Sequence, residues 1–239
     1  MDSNSGSAAK PSNPKSHELV FSAVNRMAGL SQFLGRSIEL AGNVAGYALW
    51  SKARGFKPPR FLHREQLWTS VVFPRIVGPV MILEFGVAAG HATRFWLEAL
   101  PNPDLRWHGF DTFTGLPTSW RRGGVEFSAQ GRFDAQGSPP DVHGDPRVIW
   151  HIGLAEETLP KVDVPSEGQL CLLLDLDLYE PTAFVLDRLA ARLRPGDLLY
   201  FDEIYAPWHE RRALDEFLDT GHQLVPIGTT GMSAAFAVA

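Results

Sequence analysis

A chain of 239 residues, 44% hydrophobic and 21% charged, has enough apolar residues to bury the core of one α/β domain and still carry an extra segment. A net charge of −5 excludes a general electrostatic grip on nucleic acid, which needs a basic surface. A single cysteine, Cys171, excludes an intrachain disulfide and suits a reducing cytoplasm; set inside an apolar run, it reads as a buried, inert thiol.

The first sixteen residues, MDSNSGSAAKPSNPKS, read as a disordered tail (residues 1–16). They are not a signal peptide, because no apolar core follows a basic start. Residues 17–78 read as an N-terminal helical segment. Its charges, Glu18, Arg26, Arg36 and Glu39, interrupt it too often for a transmembrane helix, which needs about 20 predominantly apolar residues. Gly29, Gly35, Gly42 and Gly46 argue for two or more helices over one. Phe21, Leu30, Phe33, Leu34, Ile38 and Leu49 are too many apolar side chains to leave in water. The segment is therefore expected to pack on the main domain or on a second copy of the chain.

Residues 79–239 alternate strand-like and helix-like pieces. VMILEF (80–85) is an apolar strand that runs into the glycine-bearing turn EFGVAAGHAT (84–93). HATRFWLEAL (91–100) is a helix stopped by Pro101. LRWHGF (105–110) and RVIWHI (147–152) are the second and third strands, and QLCLLLD (169–175) is the fourth. PTAFVLDRLAARLRPG is a helix with Pro181 in its first turn, Phe184, Leu186, Leu189, Ala190 and Leu193 on one side, and Pro195-Gly196 as its end. DLLYFD (197–202) is a fifth strand. The next helix puts Leu214, Phe217 and Leu218 on one face and stops at Gly221. HQLVPI and SAAFAVA, joined by the turn GTTG, form an antiparallel hairpin. This order predicts an α/β, Rossmann-like, doubly wound and mostly parallel seven-stranded sheet with a C-terminal antiparallel hairpin and added N-terminal helices. In such sheets ligands sit beyond the carboxyl ends of the strands. The long segment Thr118 to Asp145, rich in Gly and Pro, reads as a substrate lid.

Two features stand at those strand ends. The first is the glycine turn, whose Gly86 and Gly90 let backbone approach a ligand beside a helix amino terminus. A dinucleotide turn would carry a third glycine, which is missing. The second is a set of acids: Asp175 and Asp177 after the fourth strand, Asp202 and Glu203 after the fifth. Burying unpaired carboxylates is costly. Adjacent strands lie about 4.8 Å apart, so these acids are able to converge, and converging carboxylates repel unless a cation is present. Oxygen-rich sites suit Mg²⁺ or Mn²⁺. The plain alternative is that the strands end in solvated loops and Asp177 caps a helix.

EFGVAAGHAT resembles the first motif of class I S-adenosylmethionine (SAM) dependent methyltransferases. GFDTFTGLP, GLAEETLP, LDLDLYEPT and LRPGDLLYFDEIYAPWHERRALDEF resemble, in order, later motifs of the macrocin O-methyltransferase-like family. The resemblance runs from Met81 to Phe236. It departs from the family pattern at Glu203, where Asp is usual, at Ile204, which precedes Tyr205, and at Asp197, where the family has a second glycine. It implies that SAM is held by Glu84, Gly86, Gly90, His91, Thr93, Asp111, Thr112, Phe113, Gly153 and Asp175, with Asp111 accepting the ribose hydroxyls. It implies Mg²⁺ held among Asp175, Asp177, Asp202 and Glu203.

The chemistry implied is methyl transfer to a hydroxyl of a small molecule, a sugar or another natural-product moiety. A metal would lower the hydroxyl's pKa and a base would take its proton. Asp177 and His209 are the base candidates, with Tyr179 a third. Trp208 and Trp120 are candidates for the substrate wall, Trp208 the better placed by sequence. Rival readings are a regulatory module that binds SAM or a nucleotide without catalysis, and a NAD-type oxidoreductase. The acid cluster argues against the first, and the missing glycine against the second.

Overall fold

The computed structural model describes residue 24, residues 32–122 and residues 125–239. The expected tail over 1–16, and the expected packing of Phe21 and Leu30, lie outside the described residues. The chain divides into two compact units, Met1–Gly42 and Asn43–Ala239. Among the described residues, no helix is long and apolar enough to cross a membrane.

Helix α1 (Gln32–Ala53) runs unbroken through Gly35, Gly42 and Gly46, so these glycines do not mark a helix boundary. Nothing lies within 4 Å of where a Cβ would stand at any of the three, so these glycines serve no close contact. Each costs about 1 kcal/mol against Ala, yet propagation adds one hydrogen bond per residue and tertiary packing supplies the rest. Within the second unit Tyr47 is buried and stacks on Trp50, whose Nε1 donates to Asp215 Oδ1 at 2.7 Å. Leu49, by contrast, is 70% exposed. Helix α2 (Arg64–Leu67) continues through a π turn (Trp68–Val72) and a 3-10 turn (Phe73–Arg75).

The strands fall close to their expected places: β1 (Val80–Phe85), β2 (Leu105–Asp111), β5 (Val148–Ile152), β6 (Gln169–Leu174), β7 (Leu198–Phe201), β8 (Leu224–Thr229) and β9 (Ala234–Val238). They form one seven-stranded sheet in the order β5-β2-β1-β6-β7-β9-β8. Strands from β5 to β7 pair in parallel, and β9 runs antiparallel between β7 and β8. β8 extends to Thr229, so the terminal turn starts later than the GTTG motif suggests.

Alternate residues of each strand build two cores. Leu83, Phe85, Leu172, Leu174 and Phe201 pack with Val185, Leu186 and Leu214 of helices α4 (Tyr179–Leu189) and α5 (Glu210–Asp219). Ile82, Cys171, Leu173 and Tyr200 pack with Trp68 and with Trp96 of helix α3 (His91–Ala99). Cys171 is fully buried, and burial pushes its thiol far above the usual range, as an inert thiol requires. The unexpected Asp197 earns its burial by accepting the Leu170 N–H at 2.7 Å and the Arg194 N–H at 2.9 Å, which pins the start of β6.

The segment Thr118 to Asp145 holds structure of its own. Strands β3 (Trp120–Arg122) and β4 (Val125–Ser128) make an antiparallel hairpin apart from the main sheet. No alternation of any length marks it in the sequence.

Candidate active site

Register positions the site. Phe85 pairs with Phe110 and Leu174, and Leu174 with Phe201, so the three central strands end in one row. The next residues, Gly86, Asp175 and Asp202, continue that row through hydrogen bonds: Asp175 N–H to Phe85 O at 2.9 Å, and Asp202 N–H to Leu174 O at 3.0 Å. β1 lies where strand order reverses, with β2 on one side and β6 on the other. A cavity of about 410 Å³ opens there.

One wall is the glycine turn and the ends of β2 and β5. Gly86 has φ 87°, and a Cβ on it would stand 1.7 Å from the carbonyl oxygen of Asp175. Only glycine permits that approach. Asp111 accepts the Ala88 N–H at 2.8 Å and the Phe113 N–H at 2.7 Å, one on each carboxylate oxygen. It braces both loops while each oxygen keeps a further lone pair. Ala88 and Phe113 both take positive φ, at 46° and 56°, which this brace helps to hold. Glu84 is buried and receives Trp107 Nε1–H at 2.9 Å and the Thr93 hydroxyl, both on Oε2. Burial raises its pKa to about 8.

The other wall is acidic. Asp175, Asp177, Asp202 and Glu203 all line the cavity. Burial first, then the charges of Asp202, Asp177 and Glu210, hold Asp175 well above the usual carboxylate range. Asp177 is buried and takes φ 60°, a conformation costly for a non-glycine residue. Glu210 lies within the last of the quoted motifs but is not among the acids that the strand ends single out. It is fully buried, its Oε2 accepts the Glu203 N–H at 2.9 Å, and its Oε1 has no hydrogen-bond partner. Burial pushes it, too, well above the usual range.

The structure brings Glu84, Gly86, His91, Asp111, Thr112, Gly153, Asp175, Asp177, Asp202 and Glu203 to one cavity. Gly90, Thr93, Phe113 and His209 stand behind its wall. Gly90 caps α3 at φ 72°. Thr93 and Phe113 are buried supports, the first under Glu84. His209 pairs through Nε2 with the Arg121 carbonyl and packs against the Trp120 ring, 6.3 Å between centroids. It fastens the hairpin over the cleft. Tyr179 lies outside the cavity, donating to Glu216 Oε2 at 2.5 Å under the Arg212 guanidinium. Trp120, not Trp208, forms the aromatic wall, with Leu116, Pro117, Phe133 and Leu178. Arg64, from α2, also lines the cavity and was invisible to motif reasoning, since it precedes every motif.

A divalent cation can be weighed by donors and by placement. The donors suit a hard ion: all are oxygens, and Glu210 Oε1 is buried and unpartnered. The placement does not. Among the described residues no three His, Cys, Asp or Glu side chains are gathered so as to hold a metal ion. A positive charge does stand at one of the acids: Arg64 Nη1 donates to Asp202 Oδ1 at 3.2 Å.

No family model matches the chain, and no curated protein matches its sequence. Solved structures do match its fold. The calicheamicin methyltransferase CalS11 is 23% identical with a TM-score of 0.52, over 98% of this chain and 99% of that one. An apo structure of CalS11, described as a TDP-rhamnose 3'-O-methyltransferase, is 24% identical with a TM-score of 0.51, over 95% and 96%. The O-methyltransferase NovP is 22% identical with a TM-score of 0.53, over 73% and 77%. The fold is thus the Rossmann-like fold of class I methyltransferases.

Proposed function

We propose that the protein is a SAM-dependent O-methyltransferase acting on a hydroxyl of a small molecule, a sugar or another natural-product moiety. The observation that carries the reading is the position of Asp175. Its main chain closes on Gly86, where a cofactor would lie, and its side chain stands with the acids, where an acceptor would lie. One residue joins a donor wall to an acceptor wall. The ordered motifs that resemble the macrocin O-methyltransferase-like family support the same reading, as does the sugar named for CalS11.

The donor wall fits SAM. Asp111 keeps lone pairs for two ribose hydroxyls, and the Gly86 turn leaves a cradle that a Cβ would fill. Burial raises the Glu84 carboxyl to about 8, and a cationic donor bound nearby would favour its ionised form. SAM supplies an activated methyl group on a sulfonium. The protein's task is to hold a hydroxyl in line at about 3 Å and to take its proton. Asp177 is the base in this reading: it lines the cavity, and its strained backbone fixes its direction. His209 holds the hairpin whose Trp120 lines the cavity.

Mg²⁺ is a separable part of the proposal. Asp175, Asp177, Asp202 and Glu203 offer the oxygens, and the ion would orient and acidify the hydroxyl. Their present placement means that binding requires the acids to regroup.

Calorimetric titration with SAM and NAD side by side, followed by methyl transfer to a panel of hydroxylated acceptors with and without chelator, tests both parts. SAM is expected to bind and NAD not to. Methyl transfer at full rate in excess chelator would remove the metal and leave Asp177 as an unaided base. Failure to bind SAM would overturn the reading.

A further inference from the structure

Glu65 precedes every motif and does not line the cavity, yet it reaches the glycine turn. Its Oε1 lies 2.9 Å from Nε2 of His91, the first residue of α3. The same oxygen lies 3.8 Å from Arg64 Nε. Burial works to raise the Glu65 carboxyl, but the His91 hydrogen bond, a backbone N–H and Arg64 bring it below its ordinary value. An ionised carboxylate only accepts, so His91 Nε2 carries a hydrogen and donates it. The place of Glu65 is fixed from below. Trp68, three residues on, is fully buried and packs on Trp96 and on Phe95, each 5.7 Å between centroids. Phe95 lies one turn along α3 from His91 and stacks on its ring at 6.5 Å.

His91 does line the cavity, beside Ala88, Ala89 and Ala92. Glu65 engages its Nε2, which leaves Nδ1 for a ligand. The pair adds little to stability, since the two side chains are 58% and 35% exposed and an ion pair so open to water is weak. Its position is what matters. With the ribose of the proposed donor at Asp111 and its sulfonium at Gly86, the amino-acid end reaches the start of α3, which no side chain caps. That end carries a carboxylate that accepts and an ammonium that donates. A protonated Nδ1 meets the first, and an unprotonated one meets the second. We propose that Glu65 is a positioning residue for the methyl donor: it holds the His91 ring by Nε2 so that Nδ1 faces the amino-acid end of SAM. The inference rests on the donor part of the functional reading above and is independent of its metal part.

The test uses the full chain and two probes: S-adenosylhomocysteine, which keeps the amino-acid end, and 5′-methylthioadenosine, which lacks it. Both are titrated calorimetrically into the wild type, Glu65→Ala, Glu65→Gln, His91→Phe and the double variant of Glu65→Ala with His91→Phe. Glu65→Ala is expected to bind S-adenosylhomocysteine about fivefold more weakly and to bind 5′-methylthioadenosine as the wild type does. Glu65→Gln keeps an acceptor oxygen and should stay near the wild type. In the His91→Phe background, Glu65→Ala should cost nothing further, as a residue that acts through another must. The melting temperature of Glu65→Ala should barely move. Should the double variant not fold, His91→Asn takes the place of His91→Phe. Equal losses for the two probes, an unchanged affinity for S-adenosylhomocysteine, or the same loss without His91 overturns the inference and leaves the functional reading standing. No binding of either probe by the wild type overturns both.

Discussion

On the β1–β2 side of the cleft the carboxylates are engaged by the protein itself. Asp111 takes two backbone N–H groups, one per oxygen, and Glu84 takes the Thr93 hydroxyl and the Trp107 indole. On the β6–β7 side, Asp175 faces other acids, Glu210 leaves one buried oxygen unpartnered, and Arg64 is the cation at Asp202. Both walls arise from the same row of strand ends. They differ because β1 and β2 lead into turns whose backbone donors fold back over the acids, whereas β6 and β7 end in consecutive acidic motifs. On the first wall the fold's own donors meet the acids; on the second, burial and neighbouring carboxylates hold Asp175 and Glu210 well above the usual range.

The sharpest way to break this comparison is Gly86→Ala, which joins the walls by a clash. A Cβ 1.7 Å from the Asp175 carbonyl should cost more than about 4 kcal/mol and abolish SAM binding. Gly131→Ala is the control: it has similar φ but open space, and should cost only about 1–2 kcal/mol by thermal melting. Similar losses in the two variants would refute the tight approach at Gly86.

Asp111→Ala strikes the first wall alone. It removes the brace on Ala88 and Phe113 along with the proposed ribose acceptor. SAM affinity should fall by about 1.5–3 kcal/mol, roughly ten- to hundredfold. Calorimetry on the folded variant decides, and unchanged affinity would sink the assignment.

Glu84 and His108 set opposite pH limits from the neighbouring strands β1 and β2. Glu84 is raised from 4.5 to about 8 in the fold. Its contribution is fully present below pH 4.5 and lost as pH rises toward 8, on the order of 3 kcal/mol by neutrality. His108 is lowered from 6.5 to about 4, by burial first and then by His151, whose Nε2 lies 2.9 Å from its Nδ1. Its contribution is present above pH 6.5 and lost as pH falls toward 4. Melting temperature against pH should be a dome. Glu84→Gln should flatten its alkaline side and leave the acid side in place. A decline above pH 6.5 unchanged in that variant would show that Glu84 is ionised in the fold.

The smallest effect lies away from both walls. Gly46→Ala in α1 meets open space and should stabilise the protein by about 0.5–1 kcal/mol in denaturant unfolding. Destabilisation would mean that the helix face at Gly46 is covered.

The sheet was legible because its strands are short apolar runs between glycine, proline and acid, a pattern that strand burial imposes directly. The acids at the ends of β6 and β7, the Gly86 turn and Asp111 were legible for the same reason: each sits where a strand stops, and strand ends are where such sheets bind. Other features were not placed by local rules. Three glycines weaken α1 by propensity, yet helix cooperativity and the burial of Tyr47 carry it through them. Trp208 stood nearer the motif than Trp120, yet the hairpin folding back from residues 120–128 puts Trp120 at the cavity.

What periodicity and motif determined by themselves is the order of elements, the doubly wound sheet and the edge along which the site forms. Only tertiary structure decided how the charges at that edge are met. Arg64 lies 138 residues from Asp202, and Asp111 lies 23 from Ala88. Hydrogen bonds and ion pairs act over a few ångströms in space, and sequence separation carries no trace of them. The same holds for Glu210, whose acidity reads as an ordinary helix start until the fold buries it against Asp202 and Asp177.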